Sequence, residues 1–185
     1  MILAGLPGTG KSTLAEALAE RLGGIVLSKD KVRAALFPPG AIDYSSSQND
    51  FCMSIVLMAA QRISSYGQMS EGNVPFIFLD GRTFSRARAL QDVVRAATEV
   101  HADYRILLLS CPDELALERI RKSRGEHLAA NRDADLYRQV KARFEPITLP
   151  KLDVDTSRSL EECVEQCVAY LEGTHHGDAQ GTEQS

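Results

Sequence analysis

Short apolar segments alternate along the chain with stretches in which apolar residues recur every three or four positions. The short segments have the length of buried strands, whereas the recurring pattern is typical of amphipathic helices, as in Leu14, Leu18 and Leu22. Five strands are predicted: Ile2–Ala4, Ile25–Leu27, Phe76–Leu79, Tyr104–Ser110 and Leu152–Val154. Strands that alternate with helices indicate an α/β fold with a parallel sheet and helices on both of its faces.

Further helices follow from apolar stripes and from end signals. The stripes are Phe51/Ile55/Met58, Ala89/Val93/Ala96 and Leu136/Val140/Phe144. Proline followed by two acids at Pro112 predicts a helix with that proline at its first position, and Ser159-x-x-Glu162 is a capping box for the last helix. A single domain is expected over residues 1–172, because residues 173–185 contain no apolar side chain larger than alanine and are expected to be disordered.

Composition narrows the class of protein further. The chain has 185 residues, 44% of them hydrophobic and 25% charged, which is ordinary for one globular domain. Its net charge of −4 argues against a general nucleic-acid binder, which is usually basic. No apolar run approaches the ~18–20 residues that span a bilayer, and the first residues lack the pattern of a signal peptide. Four cysteines without a C-x-x-C pair favour core thiols in a reduced, cytoplasmic protein.

The strongest chemical signal is a glycine-rich segment between the first strand and the first helix. Residues 5–12 read GLPGTGKS, a full match to the phosphate-binding motif G-x-x-x-x-G-K-[ST]. The glycines let backbone N–H groups turn towards phosphate oxygens, Lys11 would reach the β- and γ-phosphates, and the Ser12 hydroxyl would hold Mg²⁺. The predicted nucleotide contacts are Gly5, Leu6, Pro7, Gly8, Thr9, Gly10, Lys11, Ser12 and Thr13. Only four residues precede Gly5, so either the first strand is short or the natural chain begins earlier.

A second candidate for the metal site lies at the end of the third strand. The apolar run FIFLD ends in Asp80. An acid at the end of a strand beside a phosphate loop is the Walker-B arrangement, which orients Mg²⁺ directly or through a bound water. Asp80 is therefore predicted to serve the metal or, as an alternative, the acceptor substrate. A plain turn at Asp80-Gly81 is the simpler interpretation.

Two arginine-rich segments, 118–125 and 131–143, help to decide which class of nucleotide-binding protein this is. The chain lacks the N-K-x-D of GTPases, and its length leaves little room for the extra domains of motor proteins. Basic residues on both sides of an aperiodic loop predict a lid, at about 124–134, that closes on a triphosphate and neutralises its charge. Arg119, Arg124 and Arg132 are the candidates for that role, whereas Lys122, Arg138 and Lys141 are assigned to solvated helix faces.

Five segments together resemble a known family. They are GLPGTGKSTLA, LSKDKVR, LDGRTFSR, LERIRKSRG and NRDADLYRQVKARFEPI. The chain resembles, over about residues 1–172, the P-loop kinases of the AAA_33 type, which are similar to polynucleotide 5′-kinase domains, zeta toxins, chloramphenicol phosphotransferase, gluconate kinase and adenylylsulfate kinase. The resemblance implies a nucleoside-monophosphate-kinase-like, three-layer αβα fold with a five-stranded parallel sheet in the order 2-3-1-4-5. It also implies ATP as donor, Mg²⁺ and a hydroxyl acceptor.

The same resemblance assigns roles to individual residues. An acid at the end of the second strand acts as the general base in such kinases, and an arginine three residues later holds the acceptor, which matches Asp30 and Arg33. Read alone, Asp30 is equally a helix-start acid. Asp155 and Thr156 fall where such kinases hold adenine. One departure is Ser123, which stands where the family usually has a second lid arginine.

The function predicted from the sequence is transfer of the γ-phosphate of ATP to a hydroxyl of a small molecule. Lys11, Asp30, Arg119, Arg124 and Arg132 would be the catalytic residues, with Arg33, Asp80 and Arg82 at the acceptor. A polynucleotide end is a less favoured acceptor because the chain is acidic. No membrane association is expected, and the oligomeric state stays open. The alternatives are an ATPase or nucleotide-binding regulator without an acceptor, and a toxin-like kinase.

Overall fold

A five-stranded parallel sheet forms the centre of the computed structural model, which describes residues 1–69, 76–123 and 133–175. The order of the strands across the sheet is β2-β3-β1-β4-β5, as the family resemblance implies. The strands are β1 (Ile2–Gly5), β2 (Ile25–Ser28), β3 (Ile77–Asp80), β4 (Ile106–Ser110) and β5 (Leu152–Asp155). All five predicted strands are confirmed, each shifted by at most two residues at either end.

Seven α-helices occupy the described parts of the chain. They are α1 (Lys11–Leu22), α2 (Lys29–Leu36), α3 (Ser46–Met69), α4 (Ala87–Glu99), α5 (Asp113–Lys122), α6 (Ala134–Ala142) and α7 (Leu160–His175). A short 3₁₀ turn, Pro39–Ala41, lies between α2 and α3. Pro112 precedes α5 as its N-cap instead of standing at its first position.

The two faces of β1 explain the three-layer arrangement. Successive side chains of a strand point to opposite faces, and every residue of β1 is buried. Ile2 and Ala4 belong to a core with Val56 of α3 and Leu90 of α4. The opposite face carries Leu3, whose cluster is closed by residues of α1 and α7, including Leu14, Leu18, Cys163 and Cys167. A strand buried on both faces needs helices on both sides, which is the layering predicted from the alternation of elements.

The predicted apolar stripe on α3 is wrong in its position. The side chains of Phe51 and Met58 are exposed by 51% and 59%, whereas Met53 and Val56 pack on the sheet and Cys52 is buried. Phe51 instead contacts Phe37 edge-on, with ring centroids 6.1 Å apart. The helix carries apolar residues on both sides, so spacing alone does not identify the side that the sheet covers.

The last helix begins as the capping box predicts. The Ser159 hydroxyl accepts the Glu162 N–H at 3.2 Å, and the Glu162 carboxylate accepts the Ser159 N–H at 3.0 Å. The helix continues to His175, three residues into the segment that was expected to be disordered, and 176–185 lie outside the described residues. No helix in the described ranges is both long enough and apolar enough to cross a membrane.

Candidate nucleotide and acceptor site

The phosphate-binding motif forms the turn between β1 and α1, and two glycines in it are required by geometry. Gly8 has φ +78°, and a Cβ built on it would lie 2.4 Å from the carbonyl oxygen of Ala116 and 3.0 Å from a side-chain carbon of Ile120. Gly5 has φ +141°, and its Cβ would lie 2.4 Å from the Leu109 carbonyl oxygen. The loop therefore packs directly against α5 and β4, where no side chain fits.

Lys11 holds its ammonium group inside this turn. Its Nζ donates to the carbonyl oxygens of Gly5 at 2.9 Å and Leu6 at 2.6 Å, and the residue is only 7% exposed. The Thr9 hydroxyl donates to the Leu6 carbonyl at 2.8 Å and tightens the same turn. The ammonium is thus already positioned at the mouth of the cradle, where a triphosphate would take over these contacts.

Ser12 and Asp80 meet across the carboxyl edge of the sheet. The Ser12 hydroxyl donates to Oδ1 of Asp80 at 3.1 Å, and Asp80 ends β3 with 6% exposure. A hydroxyl and a carboxylate oxygen at this spacing suit Mg²⁺, which takes one or two protein oxygens together with phosphates and waters. The residues at the end of the phosphate cradle therefore fit the metal that such a nucleotide requires.

A cavity of about 340 Å³ opens beside the phosphate loop, within the size range of nucleotide and cofactor sites. Its wall on the α5 side is Arg119, whose guanidinium donates to the hydroxyl of Thr156 at 3.2 Å and to its carbonyl oxygen at 2.7 Å. The Thr156 hydroxyl lies 3.1 Å from the Thr9 carbonyl oxygen and 3.2 Å from that of Ser110. Thr156 thus joins the phosphate loop, β4 and α5 on one wall of the cavity.

The loop after β5 contributes to this cavity differently from the sequence prediction. Thr156 lines it, but Asp155 is exposed and accepts the Ser157 N–H at 2.9 Å, a hydrogen bond that lowers the pKa of its carboxyl group. Sequence reasoning missed Arg158 and Leu160, which line the cavity two and four residues after Thr156. The sequence signal that they carry is their position, Arg158 just before the capping box and Leu160 within it.

Asp30 lies on α2, directly after the strand that neighbours β3. Ser28 ends β2 opposite Asp80, and the Ser28 hydroxyl, not Asp30, accepts the N–H of Lys31 as the helix cap. The Asp30 carboxylate is buried and accepts a hydrogen bond from Nη1 of Arg33, which is 1% exposed. The two residues form a buried ion pair, so Asp30 is more than a solvated helix-start acid.

The end of β3 contacts the start of α2. A Cβ placed on Gly81, at φ +95°, would lie 3.0 Å from Cβ of Lys29 and 3.3 Å from the N atom of Asp30. Asp80 accepts a hydrogen bond from Ser12, and the next residue, Gly81, contacts the backbone of Asp30. At the carboxyl edge of β2 and β3, Ser12 thus contacts Asp80, and Gly81 contacts the start of α2, which carries Asp30.

Arg82 pairs with an acid of α3, and only part of the predicted lid falls within the described residues. Arg82 donates to Asp50 on α3 at 3.0 Å and keeps about a third of its side chain exposed, at 30%. Arg124 and Arg132 lie outside the described residues, as does most of the predicted lid. On the flanking helices, Lys122 pairs with Glu118 at 2.6 Å and Arg138 with Asp135 at 2.8 Å, both at the surface. Lys141 pairs with Asp113, which also accepts the Tyr137 hydroxyl at 2.9 Å and so ties α6 to α5.

Comparison with known proteins agrees with this geometry. The model of the AAA_33 family, described as an AAA domain, matches residues 1–147. This chain belongs to the AAA_33 family. The family resemblance noted from the sequence is thereby confirmed. No curated protein of matching sequence is found.

Solved structures share the fold of this AAA_33 chain. A candidate kinase from Chloroflexus aurantiacus J-10-fl is 22% identical, with a TM-score of 0.70 over 90% of this chain and 95% of that one. A gluconokinase from Sinorhizobium meliloti 1021 is 17% identical, with a TM-score of 0.64 over 97% and 96%. The APS kinase of Mycobacterium tuberculosis, in complex with AMPPNP and APS, is 16% identical, with a TM-score of 0.62 over 92% and 96%. At these identities the likeness establishes the P-loop kinase fold.

Proposed function

We propose that this AAA_33 protein transfers the γ-phosphate of ATP to a hydroxyl group of a small molecule. The observation that carries the proposal is that Ser12, Asp80 and the start of α2, which carries Asp30, lie at one edge of the sheet. Ser12 contacts Asp80 at 3.1 Å, and the residue after Asp80 packs on the backbone of Asp30. A buried acid paired with arginine at this place supports a function beyond nucleotide binding.

ATP would occupy the cavity between the phosphate loop and Thr156. Backbone N–H groups of the loop and Lys11 would bind the β- and γ-phosphates, and Arg119 would lie against the nucleotide on the α5 side. Ser12, with Asp80 beside it, would hold Mg²⁺, which would neutralise phosphate charge. Arg119, Arg124 and Arg132 are proposed to bring further positive charge to the transferring group, as lid residues do in kinases.

The acceptor would lie above the sheet between Asp30 and the γ-phosphate. Its hydroxyl oxygen forms the new bond to the γ-phosphorus while the bond to the β–γ bridging oxygen breaks, and ADP leaves with that oxygen. Asp30 takes or orients the hydroxyl proton, a contribution of roughly 10²–10⁴-fold in rate. Arg82 is proposed to contact oxygens of the acceptor, and Arg33, which is 1% exposed and bound by Asp30 and Asn49, is proposed to act there by holding the Asp30 carboxylate. The gluconokinase and the APS kinase of the same fold support a small molecule as acceptor.

A transfer assay with γ-labelled ATP tests the proposal. The panel of acceptors contains nucleosides, oligonucleotides, sugars, sugar acids, and aminoglycoside- or phenicol-type alcohols. Lys11→Ala and Asp30→Asn are expected to abolish or strongly reduce transfer. The matched control is Asp92→Asn, which removes a carboxylate from the exposed surface of α4 and should leave transfer unchanged.

Nucleotide affinity separates a chemical defect from a folding defect. Asp30→Asn leaves Arg33 buried without its charged partner, so this variant loses stability as well. It should still bind an ATP analogue, because Asp30 is not part of the cavity lining in the described residues. Unchanged transfer by Asp30→Asn would refute its role as the base. If no acceptor outperforms water, the protein is instead an ATPase or a nucleotide-binding regulator.

A further inference from the structure

Asn49, in the first turn of α3, connects Lys29 and Arg33 of α2 to the loop before α3. Its Oδ1 accepts hydrogen bonds from Nζ of Lys29 at 2.8 Å and from Nη2 of Arg33. Its Nδ2 donates to the carbonyl oxygen of Tyr44 at 2.8 Å. Lysine and arginine only donate and a carbonyl only accepts, so the amide has one orientation that satisfies all three contacts.

Tyr44 is held in an unfavourable backbone conformation. It has φ 53°, a left-handed value that costs a residue other than glycine about 1–2 kcal/mol. Two side chains of α3 maintain it, because Gln48 accepts the Tyr44 N–H at 3.3 Å while Asn49 donates to the Tyr44 carbonyl. The result places the guanidinium carbon of Arg33 5.0 Å from the centre of the tyrosine ring, in the range of a cation–π contact.

Arg33 is consequently fixed on three sides. Asp30 binds Nη1, Asn49 binds Nη2, and the Tyr44 ring covers a face of the guanidinium. The Nε atom is buried and has no hydrogen-bond partner in the described residues. A guanidinium held this tightly sets the orientation of the carboxylate that it binds, since the ion pair is buried and cannot rotate freely.

We propose that Asn49 is a positioning residue for acceptor phosphorylation, acting through Arg33 to orient the Asp30 carboxylate, with Tyr44 as its support. This role rests on the proposed function. It is specific to the acceptor half of the reaction, because Asn49 and its partners on α2 are not among the residues that line the nucleotide cavity. Strain at Tyr44 is the structural cost of this arrangement, and such strain is typical of functional sites.

Two variants test this role against a purely structural one. Asn49→Leu removes all three polar contacts at nearly constant volume, and it should lower kcat/KM for the acceptor about ten- to hundred-fold while the Kd of an ATP analogue stays unchanged. Asn49→Asp keeps the oxygen that accepts from Lys29 and Arg33, replaces the donor to the Tyr44 carbonyl with a second oxygen, and adds a charge that competes with Asp30 for both cations. The acid limb of the pH profile of kcat/KM should therefore move to higher pH in Asn49→Asp.

The control variant lies on the same helix. Gln61 also makes two side-chain hydrogen bonds from α3, to the Ala96 carbonyl at 3.1 Å and to Glu99 at 2.8 Å, and it lies near Met1 and Tyr104 at the amino edge of the sheet. Gln61→Leu should leave both the acceptor kinetics and the pH profile as in the wild type. Thermal unfolding of all three variants is measured in parallel.

The outcomes separate this inference from the proposed function. If the wild-type protein phosphorylates no acceptor, the proposed function fails and the role of Asn49 fails with it. If the wild type is active and Asn49→Leu keeps its acceptor kcat/KM, only the positioning role is overturned. If Asn49→Leu does not bind nucleotide, the pH profile of Asn49→Asp decides, and an unshifted acid limb overturns the role. If neither variant folds, Asn49 is structural and the role is likewise overturned.

Discussion

Replacing Gly8 by alanine would place a methyl group between the phosphate loop and α5. The added Cβ would lie 2.4 Å from the Ala116 carbonyl oxygen and 3.0 Å from Ile120. Since the first contact is to backbone, the loop or the helix has to move. The residue also has φ +78°, a left-handed backbone conformation that is strained for alanine. We therefore expect Gly8→Ala to lower both the free energy of unfolding and the affinity for ATP.

The size of the effect follows from two separate costs. The left-handed backbone costs alanine about 1–2 kcal/mol. Overpacking of a well-filled contact costs about 1–3 kcal/mol in addition. Gly10 has the same φ, +78°, but the nearest atom to its Cβ is Nη1 of Arg119 at 3.8 Å, an ordinary contact. Gly23, at the end of α1, has φ +69° and no atom within 4 Å. Alanine at Gly10 or Gly23 therefore incurs only the cost of the left-handed backbone.

Urea denaturation of the three alanine variants measures these costs. Gly23→Ala and Gly10→Ala should lose about 1–2 kcal/mol, and Gly8→Ala should lose about 1–3 kcal/mol more. Calorimetric titration with an ATP analogue should show a weaker Kd for Gly8→Ala and an unchanged Kd for Gly23→Ala. Equal destabilisation of Gly8→Ala and Gly10→Ala, at equal m values, would show that the close approach to α5 has no energetic consequence and would refute the reasoning.

Three further changes have defined outcomes. Thr156→Val removes a buried hydroxyl that accepts from Arg119, so it should cost about 1–2 kcal/mol of stability and weaken ATP-analogue binding in titration calorimetry. Asp80→Asn should raise the Mg²⁺ concentration needed for half-maximal nucleotide binding, because the Ser12 site loses its carboxylate. The pKa of Glu162 is lowered from 4.5 to about 2, mainly by hydrogen bonds from Ser159 and to a smaller extent by the ion pair with Arg158. The ionised Glu162 therefore stabilises the fold fully above pH 4.5, and this stabilisation is lost as the pH falls towards 2. Glu162→Gln should therefore flatten the pH dependence of the free energy of unfolding between these two pH values.

Each of these has its own control. Thr156→Ser keeps the hydroxyl and should resemble the wild type; a valine variant that binds the analogue equally well contradicts the role of the hydroxyl. Asp92→Asn is the surface control for Asp80→Asn, and an unchanged Mg²⁺ requirement at Asp80 argues against a metal role. Glu161→Gln changes the neighbouring acid on the same helix, and identical pH profiles for the two variants contradict the capping argument.

Local features of the candidate site could be predicted from the sequence because their partners are near in the chain. The phosphate loop needs only the residues between β1 and α1, and the capping box needs Ser159 and Glu162. Arg33, which was predicted to hold the acceptor, stands three residues from Asp30 on one helix, and the structure pairs the two side chains. In contrast, the packed side of α3 was predicted wrongly at Phe51 and Met58, since both sides of that helix are apolar.

The sequence by itself determined the parallel α/β layering, the phosphate cradle and the acid Asp80 at the end of the third strand. Only the tertiary structure brought Asp80 to Ser12, 68 positions away in the chain, and placed Asn49 between Lys29 and Arg33. Asn49 has no local pattern that marks it, because an amide in the first turn of a helix is ordinary. Its role arises from packing α3 against α2, and long-range packing is what short-range periodicity does not encode.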